Sequence, residues 1–254
     1  MYRIGIFIYG IICYAISLAV FIYGVGFIGG IVTPTSLDGR PTRPLLAALA
    51  IDFVLLAIFA VQHSVMARPA FKEWWTRYVP IAAERSTYVL LSSLALIALY
   101  GVWEPIGGEV WNVAAGVWHN AIVGLYLFGW VLLFYTTFLI DHFDLFGLKQ
   151  VWRLLTAKPY RAPRFHTPSL YRFVRHPLYV GWLIIFWAAP IMTVAHLVFA
   201  LGTTAYIFLA IPFEERDLAK AFGSDYVEYR KRTPMLVPSI GIRQTLAPKR
   251  EART

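Results

Sequence analysis

Two short polar clusters flank the longest apolar run of the chain and carry residue types that bind charged ligands. The first is Arg175-His176-Pro177 and the second is Glu214-Glu215. Proline at the first position of a helix leaves free N–H groups, which together with Arg175 and His176 favour an anion. A carboxylate of the second cluster can bind an amine or a ribose diol. Because adjacent helical residues point about 100° apart, we expect only one of the two glutamates to enter a shared site.

Other residues are candidates for proton transfer or for contact with a substrate. His142 can act as a general base, with its ring oriented by the adjacent Asp141. Asp52 and His63 lie within an apolar run, where ionisable groups are usually functional, although His63 can also simply line a helix bundle. We place both in a substrate pocket. Tyr179, next to the first cluster, can stack on an aromatic base or face a cation.

The apolar run between the two clusters extends from 178 to 213 without a formal charge. A single crossing needs about 20 apolar residues, so this run predicts a helical hairpin that breaks near Pro190. The first predicted arm, 177–189, is about 20 Å long and can enter the bilayer without crossing it. The second predicted arm is 194–213, with Thr193 as its N-cap. A hairpin returns the chain to the side it left, so both polar clusters are predicted to lie on one face.

A polar tail follows the hairpin. We predict a short helix at 216–221 that stops at Gly223, and a second helix capped by Asp225. The second helix carries Tyr226 and Tyr229 on one face and is expected to lie over the polar clusters as a lid, with both tyrosines contributing to the substrate pocket.

The composition indicates an integral membrane protein. Hydrophobic residues make up 59% of the chain and charged residues only 15%, against about 25% charged in soluble domains. Four further apolar runs predict spans at 4–28, 45–66, 87–102 and 117–140. The fold class is therefore all-α, with about five to six transmembrane helices, a C-terminal hairpin and a cytoplasmic helical tail. We divide the chain into a four-span bundle at 1–140 and a ligand-binding region at 141–254.

The distribution of basic residues predicts the orientation. Lysine and arginine are concentrated in the loop after span two, in the segment 141–176 and beyond 214. The positive-inside rule then places both termini and both polar clusters in the cytoplasm, with a bacterial inner membrane as the expected location. The net charge of +9 is explained by orientation, so no nucleic-acid partner is expected. The only cysteine, Cys13, excludes a disulfide or a thiolate metal site within one chain, and no metal is expected. The oligomeric state stays open.

Three motifs resemble those of the isoprenylcysteine carboxyl methyltransferase and phospholipid methyltransferase superfamily. They are Arg175-His176-Pro177-x-Tyr179-x-Gly181, Glu214-Glu215-x-x-Leu218 and Gly223-x-x-Tyr226-x-x-Tyr229. The segments 62–68 and 143–152 more closely resemble the bacterial methanethiol S-methyltransferases. The resemblance implies that S-adenosylmethionine binds at the cytoplasmic mouth and that a small lipophilic thiol enters from the bilayer and accepts its methyl group.

The resemblance also implies roles for individual residues. The cofactor would be held by the residues of the first two motifs, with Lys149 and Gln150 at the edge of the site; the set is Lys149, Gln150, Arg175, His176, Pro177, Tyr179, Gly181, Glu214 and Glu215. Because a free thiol is mostly protonated at neutral pH, we assign Asp141 and His142 as the base and Arg175 as the charge that stabilises the thiolate. Two alternatives stay open: methylation of a lipid amine or another lipophilic thiol, and haem binding by His63, His142 and His176.

Overall fold

The computed structural model describes residues 1–161 and 164–238, and these are helical apart from two short strands and the connecting loops. The first half contains α1 (Tyr2–Gly29), α2 (Leu45–Ala67), α3 (Pro69–Trp75), α4 (Ile81–Val102), β1 (Glu109–Asn112) and α5 (Val117–Ile140). The second half contains α6 (His142–Leu145), α7 (Leu148–Leu155), a 3-10 turn (Ser169–Arg172), α8 (Pro177–Trp187), β2 (Ile191–Thr193), α9 (Val194–Phe222) and α10 (Ser224–Arg232).

Five helices, α1, α2, α4, α5 and α9, are long and apolar enough to cross a membrane. This confirms the predicted all-α integral membrane fold. The first hairpin arm, α8, has 11 residues and is about 16 Å long, roughly half the thickness of a hydrocarbon core. The chain continues from α8 in extended form, and β2 pairs antiparallel with β1 of the α4–α5 loop. The helix and the extended segment together therefore connect the two ends of the bundle.

The hairpin differs from its prediction at its C-terminal end. The Thr193 hydroxyl accepts a hydrogen bond from the backbone N–H of His196 at 3.1 Å, which confirms the predicted N-cap. The prediction of a break after 213 is wrong, because α9 continues through Pro212 to Phe222 as one helix. The residues after 213 are mostly strong helix formers, so nothing ends the helix before Gly223, which adopts a φ of 60°.

Two other boundaries also differ. The third span begins at Ile81 rather than at 87, because Glu84 and Arg85 are accommodated in its first turns. The second tail helix starts directly after Gly223, and Asp225 lies in its first turn instead of capping it. A carboxylate there still interacts favourably with the helix dipole.

The start of α8 is held against α5 by close packing of glycines. A Cβ atom on Gly181 would lie 3.1 Å from the backbone nitrogen of Leu133 and 3.2 Å from the carbonyl oxygen of Gly129. At the next residue, the ring of Trp182 packs on Phe21 of α1 and on Trp130 of α5. The ring centroids are 6.0 Å apart in the first pair and 5.5 Å apart in the second. One core cluster therefore contains helices from both predicted regions, 1–140 and 141–254. The division of the chain at residue 140 stays a prediction about function.

The helices have a basic end and an opposite end. At the opposite end the α1–α2 loop meets the hairpin turn, where Asp38 contacts Thr193 and lies 3.3 Å from Nδ1 of His196. At the basic end, Arg68 pairs with Asp217 at 2.9 Å. The first half of α1 packs on α7 at this end. Helix α10 packs on α9. Residues 1 and 238 therefore lie at the same end of the bundle.

Candidate active site at the basic end of the bundle

Arg175 and Glu215 form the centre of the candidate site. Arg175 Nε donates to Glu215 Oε1 at 2.7 Å, and the two side chains are only 13% and 10% exposed. His176 Nε2 lies 3.1 Å from the same carboxylate oxygen. Because Glu215 holds the two residues that precede Pro177 in this way, the carboxylate fixes the start of α8 against the end of α9. Leaving either charge unpaired at such a position would be strongly destabilising.

Glu214 completes a second polar contact around the same imidazole. Its Oε2 accepts a hydrogen bond from the Tyr179 hydroxyl at 2.8 Å and lies 3.9 Å from His176 Nδ1. The ring of His176 lies between the two carboxylates and presents one nitrogen to each; that only one glutamate enters the ligand site stays a prediction. Glu214 is 41% exposed, so its carboxylate, unlike that of Glu215, is open to a ligand.

Residues 233–236, which we call the C-terminal strap, cross the start of α8. The backbone N–H groups of Arg175 and His176 donate to the carbonyl oxygens of Pro234 and Met235 at 2.9 and 3.1 Å. Arg175 also donates through Nη1 to the carbonyl oxygen of Thr233. Met235 and Leu236 pack against the main core cluster. The C-terminal strap thus covers the N-terminus of α8, and the role of the second tail helix as a lid stays a prediction.

The two tail tyrosines differ in their partners. The Tyr229 hydroxyl donates to the carbonyl oxygen of Tyr171 at 2.7 Å and so attaches α10 to the segment before α8. Tyr226 is only 2% exposed, and its hydroxyl has no hydrogen-bond partner among the residues that the structure describes. Burial, followed by the charges of Glu215 and Glu214, raises the pKa of the Tyr226 hydroxyl. A buried hydroxyl without a partner is a candidate ligand contact.

The expected pairing of Asp141 with His142 is not present. Asp141 accepts from Lys149 Nζ and from the backbone N–H of Asp144, the latter at 3.1 Å. The ring of His142 is instead hydrogen-bonded to the hydroxyls of Thr137 and Tyr14, at 2.8 and 2.9 Å. Asp141 has a left-handed backbone with φ of 104°, which turns its carboxylate away from the following ring. The carboxylate therefore does not orient the imidazole.

His142 also lies in apolar surroundings. Its ring stacks on Phe138 with centroids 4.3 Å apart, and only 4% of the residue is exposed. Burial lowers the pKa of the ring, while the charge of Asp141 acts in the opposite direction. Beside it, an open groove of about 580 Å³ runs along the outside of α5, lined by Phe138, Leu139, Ile140, Asp141, His142, Phe143, Lys149, Arg164 and His166.

Lys149 and Gln150 point in different directions. Lys149 faces this outer groove through its ion pair with Asp141. Gln150 donates to the carbonyl oxygen of Asp144 at 3.1 Å, and the Tyr160 hydroxyl donates to the Asp144 carboxylate at 3.2 Å. Burial and the neighbouring Asp144 raise the pKa of Tyr160 to about 12. Gln150 is therefore held by the Asp144–Tyr160 pair and not by the ion pair of Lys149.

His63 belongs to a hydrogen-bonded group that the sequence did not reveal. The Tyr88 hydroxyl lies 2.8 Å from His63 Nε2, and Ser92 Oγ lies 3.2 Å from Nδ1. At the next residue of α2, the Ser64 hydroxyl is hydrogen-bonded to the Tyr206 hydroxyl at 3.0 Å. We call these five residues the histidine–tyrosine cluster. A tyrosine within an apolar run could have indicated such a hydrogen-bonded group. The chain contains 15 tyrosines, however, so this feature alone does not single out Tyr88 and Tyr206.

Asp52 lies away from all of these groups. It is fully buried, and its Oδ1 accepts the backbone N–H of Glu104 at 2.9 Å in the α4–α5 connection. Glu104 in turn pairs with Arg43 at 2.7 Å. The placement of Asp52 in a pocket with Tyr226 and Tyr229 is therefore wrong, because α2 enters the bundle from the opposite end and Asp52 sits in its first turns.

The residues at the basic end fit a ligand that carries both charge and an aromatic base. Glu214 offers an exposed carboxylate, Tyr226 offers a buried hydroxyl without a partner, and Tyr179 offers an aromatic face. Within residues 1–161 and 164–238, no group of three or more His, Cys, Asp or Glu side chains is placed to hold a metal ion.

Comparison with known proteins finds relatives that share one name over most of the chain. The chain is 52% identical over 239 residues to the methanethiol S-methyltransferase of Crocosphaera subtropica, which covers 94% of each chain. It is 47% identical over 231 residues to the methanethiol S-methyltransferase of Mycobacterium tuberculosis, covering 91% of this chain and 95% of that one. A more distant relative is nurim of Rattus norvegicus, 35% identical over 184 residues, 69% of this chain and 70% of nurim. No family model and no solved structure matches the chain.

Proposed function

This chain belongs to the methanethiol S-methyltransferase family, and we propose that it transfers a methyl group from S-adenosylmethionine to methanethiol at the basic end of its helices. The product would be dimethyl sulfide. The observation that carries the proposal is the arrangement of Glu214 and Glu215 around His176, with Arg175 on the inner carboxylate. This arrangement leaves one carboxylate saturated and the other available.

The proposed roles follow from that difference. Glu215 is a positioning residue, because it is occupied by Arg175 and His176 and holds the start of α8. Glu214 is the group for a cationic ligand, since it is half-exposed and is oriented by the Tyr179 hydroxyl. A carboxylate beside an aromatic ring suits a sulfonium or ammonium group. Pro177 and Gly181 contribute through the backbone, Pro177 by starting α8 and Gly181 by its close contact with α5.

Tyr226 and the C-terminal strap complete the proposed cofactor site. The unpaired Tyr226 hydroxyl lies where it can donate to a polar group of the ligand, and the strap closes the site over Arg175 and His176. We keep Gln150 as a proposed residue of the site's edge, whereas Lys149 faces the outer groove. When bound, S-adenosylmethionine would supply an electrophilic methyl group on a positively charged sulfur.

The apolar surroundings suit this chemistry. A thiolate and a sulfonium have opposite charges, and transfer of the methyl group leaves two neutral thioethers. A cavity that excludes water favours a reaction in which charge disappears. Methanethiol is small and apolar, so it can reach such a site through the bilayer. We further propose that the protein lies in a bacterial inner membrane with the basic end in the cytoplasm, as its arginine and lysine distribution favours.

The proposal is tested with membranes that contain the protein. They are incubated with S-adenosylmethionine and methanethiol, and dimethyl sulfide is measured in the headspace by gas chromatography. We expect product from the wild type and none from Arg175→Ala or Glu215→Ala at matched expression. His119→Gln, a histidine at the opposite end of the bundle that contacts the carbonyl oxygen of Val113, is the control. If the wild type binds S-adenosylmethionine without forming dimethyl sulfide, a lipid amine or a larger thiol replaces methanethiol as the acceptor.

A further inference from the structure

A cationic side chain lies beside the proposed cofactor site, where the end of α2 meets the last turns of α9. Arg68 pairs there with Asp217 at 2.9 Å. Asp217 follows Glu214 by three residues in α9, and residues three apart in a helix are neighbours on its surface, with Cβ atoms about 5–6 Å apart. The ion pair therefore places Arg68 next to the carboxylate that we propose for the cationic part of the ligand.

Lys72 and Arg85 lie close to Arg68, and we call these three residues the cation cluster. The backbone N–H of Lys72 donates to the carbonyl oxygen of Arg68 at 3.1 Å, so the two residues are one helical turn apart. Arg85 enters from α4, and its guanidinium stands 5.0 Å from the centre of the Tyr88 ring. Tyr88 packs in one apolar cluster with Phe71, the residue before Lys72. This packing connects Arg85 with α3.

The cation cluster borders the gap between α2 and α9 and is not a group of chains on the outer surface. Arg68 donates through Nε to the carbonyl oxygen of Ser64 at 3.1 Å, while its Nη1 contacts Asp217 of α9. Ser64 belongs to the histidine–tyrosine cluster and is bonded to Tyr206 of α9. The Arg68 guanidinium is thus fixed between the two helices, on the side of α9 where Glu214 lies.

Two members of the cation cluster have no carboxylate partner. Lys72 and Arg85 are half-buried, and neither forms an ion pair with a carboxylate in the part of the chain that the structure describes. Lysine and arginine are seldom withdrawn from solvent without such a partner. Other half-buried cations of this end do have one, namely Arg68, Lys149 and Arg175. The cation cluster therefore favours an anionic ligand.

The charges around Lys72 support this interpretation. Burial, followed by the charge of Arg85, lowers the pKa of the Lys72 ammonium group, and Arg68 acts in the same direction. The carboxylates of Glu84 and Asp217 act in the opposite direction and do not compensate for these effects. An ammonium group whose charged form is disfavoured in this way is stabilised by an additional anion.

We propose that the cation cluster binds the carboxylate at the amino-acid end of S-adenosylmethionine. The assignment rests on the proposed function and extends the cofactor site to Arg68, Lys72 and Arg85. In the cofactor a short carbon chain joins the sulfonium to a carbon that carries both an ammonium and a carboxylate group. A ligand whose positive part is held by Glu214 therefore carries its negative part within reach of the neighbouring cations.

The three cations have different roles in this site. Arg85 uses Nε for the carbonyl oxygen of Leu145 at 2.8 Å, and its two terminal nitrogens have no hydrogen-bond partner among the described residues. Two such nitrogens can bind a carboxylate in a bidentate manner. Lys72 supplies a point charge. Arg68 is partly neutralised by Asp217 and positions the end of α2 against α9.

The test compares two ligands by titration calorimetry: S-adenosylhomocysteine and its decarboxylated analogue, which keeps the ammonium group. The wild type should bind the analogue at least about tenfold more weakly, because hydrogen bonds to charged groups contribute this much. Lys72→Met and Arg85→Met should each weaken S-adenosylhomocysteine binding at least about fivefold and change binding of the analogue less than about twofold. Arg77→Met, at an exposed cation of the α3–α4 connection, is the matched control and should bind both ligands as the wild type does.

The melting temperature without ligand separates binding from folding. Arg85→Met removes the hydrogen bond to Leu145 and should lower the melting temperature. Lys72 forms no side-chain hydrogen bond or ion pair within residues 1–161 and 164–238, and withdrawing an ammonium group from water is costly. Lys72→Met should therefore keep or raise the melting temperature while it weakens S-adenosylhomocysteine binding, a combination that a purely structural lysine would not give.

Two results would overturn the assignment. One is equal weakening of both ligands in Lys72→Met, which would show that the cation cluster does not act on the carboxylate. The other is S-adenosylhomocysteine binding within about twofold of the wild type in both variants, far less than a charged hydrogen bond contributes. Failure of the proposed function is distinct, because the wild type would then bind neither ligand.

Discussion

Arg175 and Glu215 form an ion pair at 2.7 Å although 40 residues separate them in the chain. The pair joins the segment just before α8 to the last turns of α9, and both side chains are largely withdrawn from solvent. Glu214, the next residue, has a different environment, since it is half-exposed and bonded to Tyr179. Adjacent glutamates with such different surroundings should respond differently to the same substitution.

We predict that Glu215→Gln destabilises the protein and Glu214→Gln does not. Removing the charge of Glu215 leaves a buried guanidinium uncompensated, which costs about 3 kcal/mol of stability. Glu214→Gln should keep the melting temperature within a degree or two, on the order of 0.5 kcal/mol, but weaken S-adenosylhomocysteine binding at least about tenfold. Thermal unfolding in detergent and titration calorimetry give the two readouts. Equal melting temperatures for both variants would contradict the positioning role of Glu215.

Tyr226→Phe should separate ligand binding from folding. The hydroxyl is buried without a partner among the described residues, so its removal relieves a desolvation cost of about 1 kcal/mol in the free protein. If the hydroxyl bonds to the bound cofactor, the same change weakens cofactor binding about five- to tenfold. We therefore expect an unchanged or higher melting temperature with a weaker dissociation constant. Tyr229→Phe is the matched control, because its hydroxyl anchors α10 and its loss should lower the melting temperature.

Gly181→Ala should disturb the site through the backbone. The added Cβ would meet the backbone of α5 at Leu133 and Gly129, and backbone atoms cannot move aside as a flexible side chain does. Overpacking of this kind costs about 1–3 kcal/mol and shifts Tyr179, half a turn earlier in α8. Activity and melting temperature should both fall. Gly124→Ala, a substitution in the helix that Gly181 contacts, is the control, because no atom lies within 4 Å of its added Cβ. This variant should behave as wild type.

The buried ring of His142 predicts a pH dependence of stability. Burial lowers its pKa in the folded state, so the unfolded chain, with a histidine pKa near about 6.5, binds the proton more tightly. Stability is therefore lost as the pH falls through about 6.5 towards the folded pKa. We expect the melting temperature of the wild type to decrease between pH 7.5 and 5.5, with a shallower decrease in His142→Asn. Parallel slopes for the two proteins would show that this ring does not carry the effect.

Much of the fold could be predicted from the sequence, because the lengths of the apolar segments and the residues that begin and end helices determine it. The spans at 45–66 and 117–140 agree with α2 and α5 to within a residue, and Thr193 caps α9 as predicted. The end of α9 was missed because Pro212 and the following charges resemble a boundary, while the helix preference of those charged residues outweighs one missing hydrogen bond. Local sequence cannot report that balance.

The part of the site that could be predicted is the part that the helical hairpin brings together. Arg175, His176 and the two glutamates converge as the hairpin required. The direction of the Asp141 carboxylate depends on a left-handed backbone at that residue, and the pairing of His63 with Tyr88 depends on how α2 and α4 are rotated against each other. Neither rotation nor backbone handedness at a non-glycine residue is encoded in a short pattern.

The pairing of β1 with β2 has a consequence for how the protein is made. β1 leaves the ribosome with the loop that follows α4, whereas its partner appears only after α5, the polar connector and α8 have been synthesised. Synthesis proceeds from the N-terminus, so the strand edge of β1 waits unpaired while the later helices are inserted. The end of the molecule opposite the candidate site can thus be fastened only when the hairpin arrives. Until then a nascent chain should be open to proteases that reach the 103–116 loop, and that sensitivity should disappear once α9 has entered the membrane.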